Sequence, residues 1–277
     1  QDASAKLMIH PKCQRTGVHY RLLPMTRSMI AELLTPEQVS HHLSVIKTHL
    51  QFPEGVRLMN RPAAYHGGVS TNFKRAEQAA NFGREVGLQY VHAHIRFTEA
   101  MAKIGQVDET WRALSIINPV QIQKRVANAG RRQSNAYFSS SDGAFKTRYQ
   151  SQAEFDTMKS GSTQVKGGWR IYSSGPGIYI NQLLTSVLGI RQTADQIVFD
   201  PILPETLDGL EMRYQLLEKA VIIRFHLRTQ QQELKINGQK VSASITSNPY
   251  RQGGLVASSD EIDKHLTQEI NMIDIYC

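Results

Sequence analysis

Residues 167–177 read Gly-Gly-Trp-Arg-Ile-Tyr-Ser-Ser-Gly-Pro-Gly and run directly into an apolar stretch at 178–188. A small, hydroxyl-rich turn opening onto a helix offers backbone N–H groups and serine hydroxyls at the positive end of the helix dipole. Such a corner suits an anion, phosphate above all. Ser174 reads as the cap, Pro176 falls in the first turn where an N–H is dispensable, and Gly189 closes the run. An ordinary loop has the same composition, so the pattern alone leaves both readings open.

Two further groups of residues could do chemistry. Arg84-Glu85 precedes His92 by about two helical turns, so a carboxylate and an imidazole could face one cavity. The alternative is a solvated acid at a helix start and a packed core imidazole. Residues 135–145, NAYFSSSDGAF, combine aromatics, three serines and Asp142. There Tyr137 or Phe138 could stack on a sugar ring and Ser140 could donate to its hydroxyls. An ordinary turn explains the composition equally well. Asp142 has no neighbour in the sequence that would raise its pKa for acid catalysis.

Behind these residues the periodicity is helical. Thr35-Pro36-Glu37 predicts a helix start, and Val39, Leu43, Ile46 and Leu50 continue at helical spacing. Residues 71–82 form a second candidate. A third spans 88–104, with Leu88, Val91, Ile95 and Ala102 on one side and Phe97, Met101 and Ile104 on another, the pattern of a helix buried between neighbours. Residues 108–116 give a fourth, stopped by Asn118-Pro119, and 178–188 the last. From about residue 195 the period shortens. Segments 196–199, 210–217 and 220–227 read as strands, and 233–236 and 240–245 flank Asn237-Gly238, a hairpin signal. Helices followed by strands predict a mainly α domain over 1–194, then a small antiparallel β domain over 195–277.

Composition removes several classes. The net charge is +8 over 277 residues, but Lys and Arg are spread along the chain without a basic block, which argues against nucleic acid. No run approaches the ~20 apolar residues of a membrane helix, and no signal peptide is evident. Cys13 and Cys277 lie at opposite ends and suggest neither a disulfide framework nor a metal site, so a reducing, cytoplasmic compartment is expected. The pairs His41-His42 and His92-x-His94 lack zinc-protease spacing, and no metal is expected. The opening at Gln1 suggests a piece of something longer.

Taken in order, Arg84-Glu85, His92-Ala93, Ile117-Asn118-Pro119, residues 135–145 and 167–177, Leu188-Gly189-Ile190-Arg191, Phe199-Asp200-Pro201, Leu203-Pro204 and Leu207-Asp208-Gly209-Leu210 resemble glycoside hydrolase family 94. That family comprises inverting phosphorylases of β-glucosides. Residues 57–62 (RLMNRP), Tyr65-His66-Gly67-Gly68 and 82–96 (FGREVGLQYVHAHIR) are similar to its branch acting on β-1,2-linked oligoglucans. The same segments are similar to the C-terminal module of cyclic β-1,2-glucan synthases.

The resemblance implies that 1–194 is the C-terminal part of an (α/α)6 barrel and 195–277 a compact β tail. It implies that Glu85 contacts glucose, and that His92 binds phosphate with Ser173, Ser174 and Gly175, where relatives carry a Thr-Gly pair. Tyr137 and Ser140 would line the sugar. An inverting hydrolase needs an acid and a base, whereas phosphate is already an anion and attacks directly, so an acid alone suffices. The family's acid is an aspartate expected upstream of Gln1, so no catalytic residue is assigned in this chain and the fragment is expected to be inactive alone. Inorganic phosphate is the co-substrate and no cofactor is implied. The expected partners are a β-linked glucooligosaccharide, phosphate and the rest of a parent polypeptide, with a homodimer left open. A non-catalytic carbohydrate- or anion-binding scaffold is the rival outside enzymology.

Overall fold

The computed structural model describes residues 11, 12, 14, 16–63, 89–131, 138–169 and 174–277; for 138–142, 166–169 and 174 the backbone path alone is described. Two compact units emerge, Gln1–Ala100 with Arg112–Tyr179, and Met101–Trp111 with Ile180–Cys277.

In the first unit, α1 (Leu22–Ile30) buries Leu22, Met25 and Met29, one face at helical spacing. Helix α2 (Pro36–Val45) starts at the expected place with a full capping box: the Thr35 hydroxyl accepts from the Gln38 N–H, and Gln38 Oε1 accepts from the Thr35 N–H at 2.9 Å. The helix widens into a π-helical turn, Ile46–Leu50, whose Ile46 and Leu50 are fully buried. A tight hairpin follows, β1 (Gln51–Phe52) against β2 (Gly55–Val56).

The expected helix at 71–82 lies outside the described residues. The one expected over 88–104 is shorter: Gln89–Tyr90 is strand β3, and α3 occupies Val91–Lys103. It is apolar on two sides as expected, with Val91, Ile95, Phe97 and Met101 fully buried. Helices α4 (Val107–Ile116) and α5 (Ile122–Arg125), strand β4 (Phe138–Gly143), helices α6 (Arg148–Ala153) and α7 (Asp156–Lys159), strand β5 (Val165–Trp169) and helix α8 (Ser174–Gln182) follow. A core of Phe52, Val91, Ile95, Ile116, Ile122, Phe155, Met158 and Val165 joins α3, α4 and α5 to β1 and β5.

Two expectations are corrected. Residues 138–143, expected as a loop or turn, are extended in β4, and 165–169 are strand β5, so the Gly/Ser turn is shorter than its composition suggested. Glycine and serine carry weak strand propensity, but pairing on both edges of β4 overrides it. Ser174, expected as a cap, is the first residue of α8.

The second unit holds two sheets. One is four-stranded in the order β12 (Ser244–Ile245), β13 (Leu255–Ser258), β7 (Gln196–Phe199), β6 (Ile190–Gln192). The other is five-stranded: β11 (Gln239–Lys240), β10 (Glu233–Ile236), β14 (Ile270–Tyr276), β9 (Lys219–His226), β8 (Glu211–Leu216). The Asn237-Gly238 hairpin is present, with both residues at positive φ, 51° and 79°. The sheet is mixed rather than antiparallel, because β14 returns after α9 (Ser259–His265) and pairs in parallel with β9 from Ile270↔Ala220 to Tyr276↔His226. Val221, Ile223, Phe225, Leu234, Ile236, Ile273 and Ile275 alternate inward to form its buried face.

Candidate functional site

Three segments singled out by residue type meet in one small sheet. Strand β3 pairs with β4 in the register Gln89↔Ser141 and Tyr90↔Ser140, and β4 pairs with β5 in the register Ser140↔Gly168 and Ser141↔Gly167. A row Tyr90–Ser140–Gly168 therefore crosses all three strands. The β4–β5 register shifts between Phe138 and Ser140, a bulge of the kind that redirects side chains beside functional sites. Glycines at 167 and 168 put no side chain on the outer strand at these two rows.

Strand β3 leads without a break into α3, whose second residue is His92. Its imidazole is half-buried and stacks on the Tyr90 ring at 5.1 Å between centroids and 18° between planes. Burial first, then the charge of Arg96 one turn further along α3, pushes the His92 pKa below the ordinary histidine value. Arg96 itself donates to Glu99 at 2.7 Å. An imidazole at a helix start is suited to bind a negatively charged group.

Among the other expected site residues, Ser140 occupies the centre of the sheet row. Ser174 and Gly175 open α8, where the first-turn N–H groups need acceptors, and Gly175 is buried. Glu85, Tyr137 and Ser173 lie outside the described residues. Asp142 is in β4, at a register position opposite Lys166.

Residue types alone missed several groups. Tyr90 is one, since a tyrosine two residues before a histidine is no motif. His94 is fully buried, accepting from the Val56 N–H at 3.0 Å and lying 2.7 Å from the Ala113 carbonyl through its other ring nitrogen. It knits the β1–β2 hairpin to α3 and α4 rather than joining His92. Glu54 and Arg57 form a buried ion pair beneath it, with the guanidinium 4.4 Å above the Phe52 ring.

The second unit contains a cleft of about 720 Å³ lined by residues including Asp108, Ile202, Leu203, Gln232, Arg251 and Cys277. Among the described residues, none of the expected site residues lines it, and its most buried charges, Asp200 and Arg251, are spent on each other at 2.8 Å. Burial and the charges of Asp200 and Asp208 push the Cys277 thiol up to about 11, far from a nucleophile. No group of three or more metal-type ligands occurs among the described residues, and no helix there is long and apolar enough to cross a membrane.

Residues 189–276 match the family described as glycoside phosphorylase C-terminal domain. Over 268 residues, 97% of its length, the chain is 55% identical to the 1,2-beta-oligoglucan phosphorylase of Listeria innocua, of which it spans 24%. It is also 26% identical, over 195 residues, to the cyclic beta-(1,2)-glucan synthase NdvB of Rhizobium meliloti, covering 6% of that protein.

Proposed function

We propose that this chain belongs to an inverting phosphorylase that converts a 1,2-β-oligoglucan and inorganic phosphate, reversibly, to α-D-glucose 1-phosphate and a shortened glucan. The observation that carries the reading is the 55% identity to the Listeria enzyme, continuous over 97% of the chain. The sheet row Tyr90–Ser140–Gly168 supports it by bringing the His92, serine and glycine segments together.

In this reading His92 and the opening of α8, with Ser173, Ser174 and Gly175, hold phosphate, and Glu85, Tyr137 and Ser140 hold the glucosyl unit. Phosphate oxygen attacks the anomeric carbon from one face while the glycosidic oxygen leaves from the other and takes a proton from an aspartic acid elsewhere in the longer protein. The residues of this chain orient the nucleophile and neutralise its charge. Burial and the charge of Arg96 hold the His92 pKa below the ordinary histidine value. A phosphate dianion offsets that penalty and lets the imidazole bind as a cation, with the strength of a charge-assisted hydrogen bond. The same proposal includes 1–194 as the C-terminal part of an (α/α)6 barrel, the β domain at 195–277, a cytoplasmic location, and no cofactor beyond phosphate.

Replacing His92 by alanine in the full-length protein is expected to raise the KM for phosphate about 10- to 100-fold, the value of one hydrogen bond to a charged group, with little change in oligosaccharide KM. An unchanged phosphate dependence would remove His92 from the site. The similarity to NdvB favours a second reading, a phosphorylase-like module that acts on glucan length within a synthase. Release of glucose 1-phosphate from a β-1,2-linked trisaccharide by the full-length protein decides for the first reading. It also excludes the binding scaffold.

A further inference from the structure

We propose that Arg96 is a second cationic ligand of the phosphate, standing one helical turn beyond His92 on the open stripe of α3. The inference deepens the reading of His92 as a phosphate ligand and rests on it.

Helix α3 is enclosed almost everywhere. Over residues 91–100 every position is buried except His92, Arg96 and Glu99. These three are spaced by four and then three residues, so they lie in one row along the helix. Every ionisable group that α3 keeps out of the core in this stretch is therefore on one narrow stripe, and His92 begins it. The Arg96 side chain is 31% exposed and that of Glu99 is 22% exposed, open enough to meet a ligand and too enclosed to be fully solvated. Helical side chains lean toward the N-terminus of their helix, which carries the long stem of Arg96 over the turn that holds His92. The charge of Arg96 reaches the imidazole, since it is the second cause, after burial, of the lowered His92 pKa.

Two cations one turn apart on a helix repel, and an anion between them turns the repulsion into attraction. The charges match: a phosphate dianion is balanced by Arg96 together with a protonated His92. Arg96 is always charged and draws the dianion first. The bound dianion then cancels the field of Arg96 at His92 and favours the imidazolium, so each ligand strengthens the other. The guanidinium has an edge to offer. Its Nη1 donates to Glu99 Oε2 at 2.7 Å, and no described residue takes the Nε–Nη2 edge. A planar pair of N–H groups of that kind fits two phosphate oxygens at once, which lysine cannot reproduce.

The test measures, for variants of the full-length protein, the KM for inorganic phosphate, the KM for oligosaccharide and the rise in Tm on adding inorganic phosphate. Arg96→Gln is expected to raise phosphate KM about 10- to 100-fold, to leave oligosaccharide KM unchanged and to shrink the Tm rise. Arg96→Lys keeps the charge and loses the fork, and is expected to raise phosphate KM about three- to tenfold. Glu99→Gln keeps an acceptor for Nη1 and is expected to stay within about twofold of the wild type. A phosphate KM raised as much in Glu99→Gln as in Arg96→Gln would assign the effect to the ion pair on the helix and overturn the direct contact. Equal rises of both KM values in Arg96→Gln, or a Tm rise as large as in the wild type, overturn it too. If His92→Ala raises phosphate KM while Arg96→Gln does not, the second ligand fails and the reading of His92 stands. If His92→Ala itself leaves phosphate dependence unchanged, the reading of the site fails and this inference with it.

Discussion

Asp200→Ala is expected to destabilise the second unit by about 3–5 kcal/mol, the cost of removing one partner from a buried ion pair. The Asp200 side chain is 8% exposed and carries three charged hydrogen bonds: Arg251 Nη1 donates to Oδ1 at 2.8 Å, and Arg251 Nη2 and Arg191 Nη2 donate to Oδ2 at 2.8 and 2.9 Å. Both arginines are themselves anchored. Arg191 donates to the Thr185 carbonyl at 3.0 Å, and Arg251 Nε to the Ala102 carbonyl at 3.2 Å. Losing the carboxylate would leave the mostly buried Arg251 guanidinium without its counter-charge.

The backbone around Asp200 is equally committed. Its N–H donates to the Gly189 carbonyl, and a Cβ at Gly189, which has φ of +72°, would stand 2.1 Å from the Asp200 carbonyl group. Burial alone would raise the Asp200 pKa, but the hydrogen bonds and charge of Arg251, with Arg191 behind them, outweigh it and hold the carboxyl below its ordinary value. A carboxylate depressed on folding stabilises above its unfolded pKa, and that stability is lost as pH falls through the folded value. Thermal unfolding of Asp200→Ala, Arg251→Met and the double variant checks the assignment. The double variant should lose less than the sum of the singles. Losses that add within about 0.5 kcal/mol would mean the two side chains do not act as a pair.

The second large effect is a loss of stability in mild acid that traces to His94. Burial pushes its pKa down to about 4, with the Ala113 carbonyl acting in the opposite sense and Arg112 in the same sense. Above pH 6.5 the imidazole is neutral in both folded and unfolded chains. Between 6.5 and about 4 the unfolded chain binds a proton that the folded chain refuses, so stability falls by about 1.4 kcal/mol per pH unit, about 3 kcal/mol in all. Refusal is imposed by geometry. One ring nitrogen must accept from Val56 while the other gives its hydrogen to Ala113, so a second proton has no acceptor and would break the bond to the hairpin. Gly55, with φ of +135°, allows this approach, since a Cβ there would lie 2.8 Å from His94 Nδ1. His94→Phe is expected to be less stable at pH 7 by about 1–3 kcal/mol, through the unpaired Val56 and Ala113 groups, yet flatter between pH 6.5 and 4. Urea unfolding across that range measures both. A variant as steep in pH as the wild type would assign the acid sensitivity to other groups.

Much of the local structure was legible in the residues. The Thr35-Pro36 helix start became a capping box, and Asn237-Gly238 became a hairpin, because each depends on atoms within four residues. The two apolar sides of 88–104 corresponded to a largely buried helix over Val91–Lys103 for a similarly local reason. The ordered motifs carry the resemblance to the phosphorylases, in line with the 55% identity over 97% of the chain.

The errors and omissions have a common cause. Residues 138–143 and 165–169 are rich in glycine and serine and read as turns, but they are extended because they pair with each other and with Gln89–Tyr90, about 50 residues earlier. Parallel pairing of β14 with β9 also escaped the pattern, since alternation fixes which face is buried and not which neighbour a strand chooses. The spacing of His92-x-His94 gave no metal site, and it gave no sign either that His94 is a structural pin. Asn248 and Arg251 donate to the Lys103 and Ala102 carbonyls near the end of α3, contacts that no local pattern signals.

By itself, then, the sequence determined what is encoded at short range or in the order of motifs: helix starts, the hairpin, the order of helices before strands, and the family. The tertiary structure alone decided that His92 stands beside Tyr90 on one continuous turn, that Ser140 and Gly168 share a row with Tyr90, and that Asp200 lies between two arginines. Pairings across tens of residues are set by which surfaces bury together and which buried charges find a counter-ion. Neither leaves a mark in the spacing of residues along the chain.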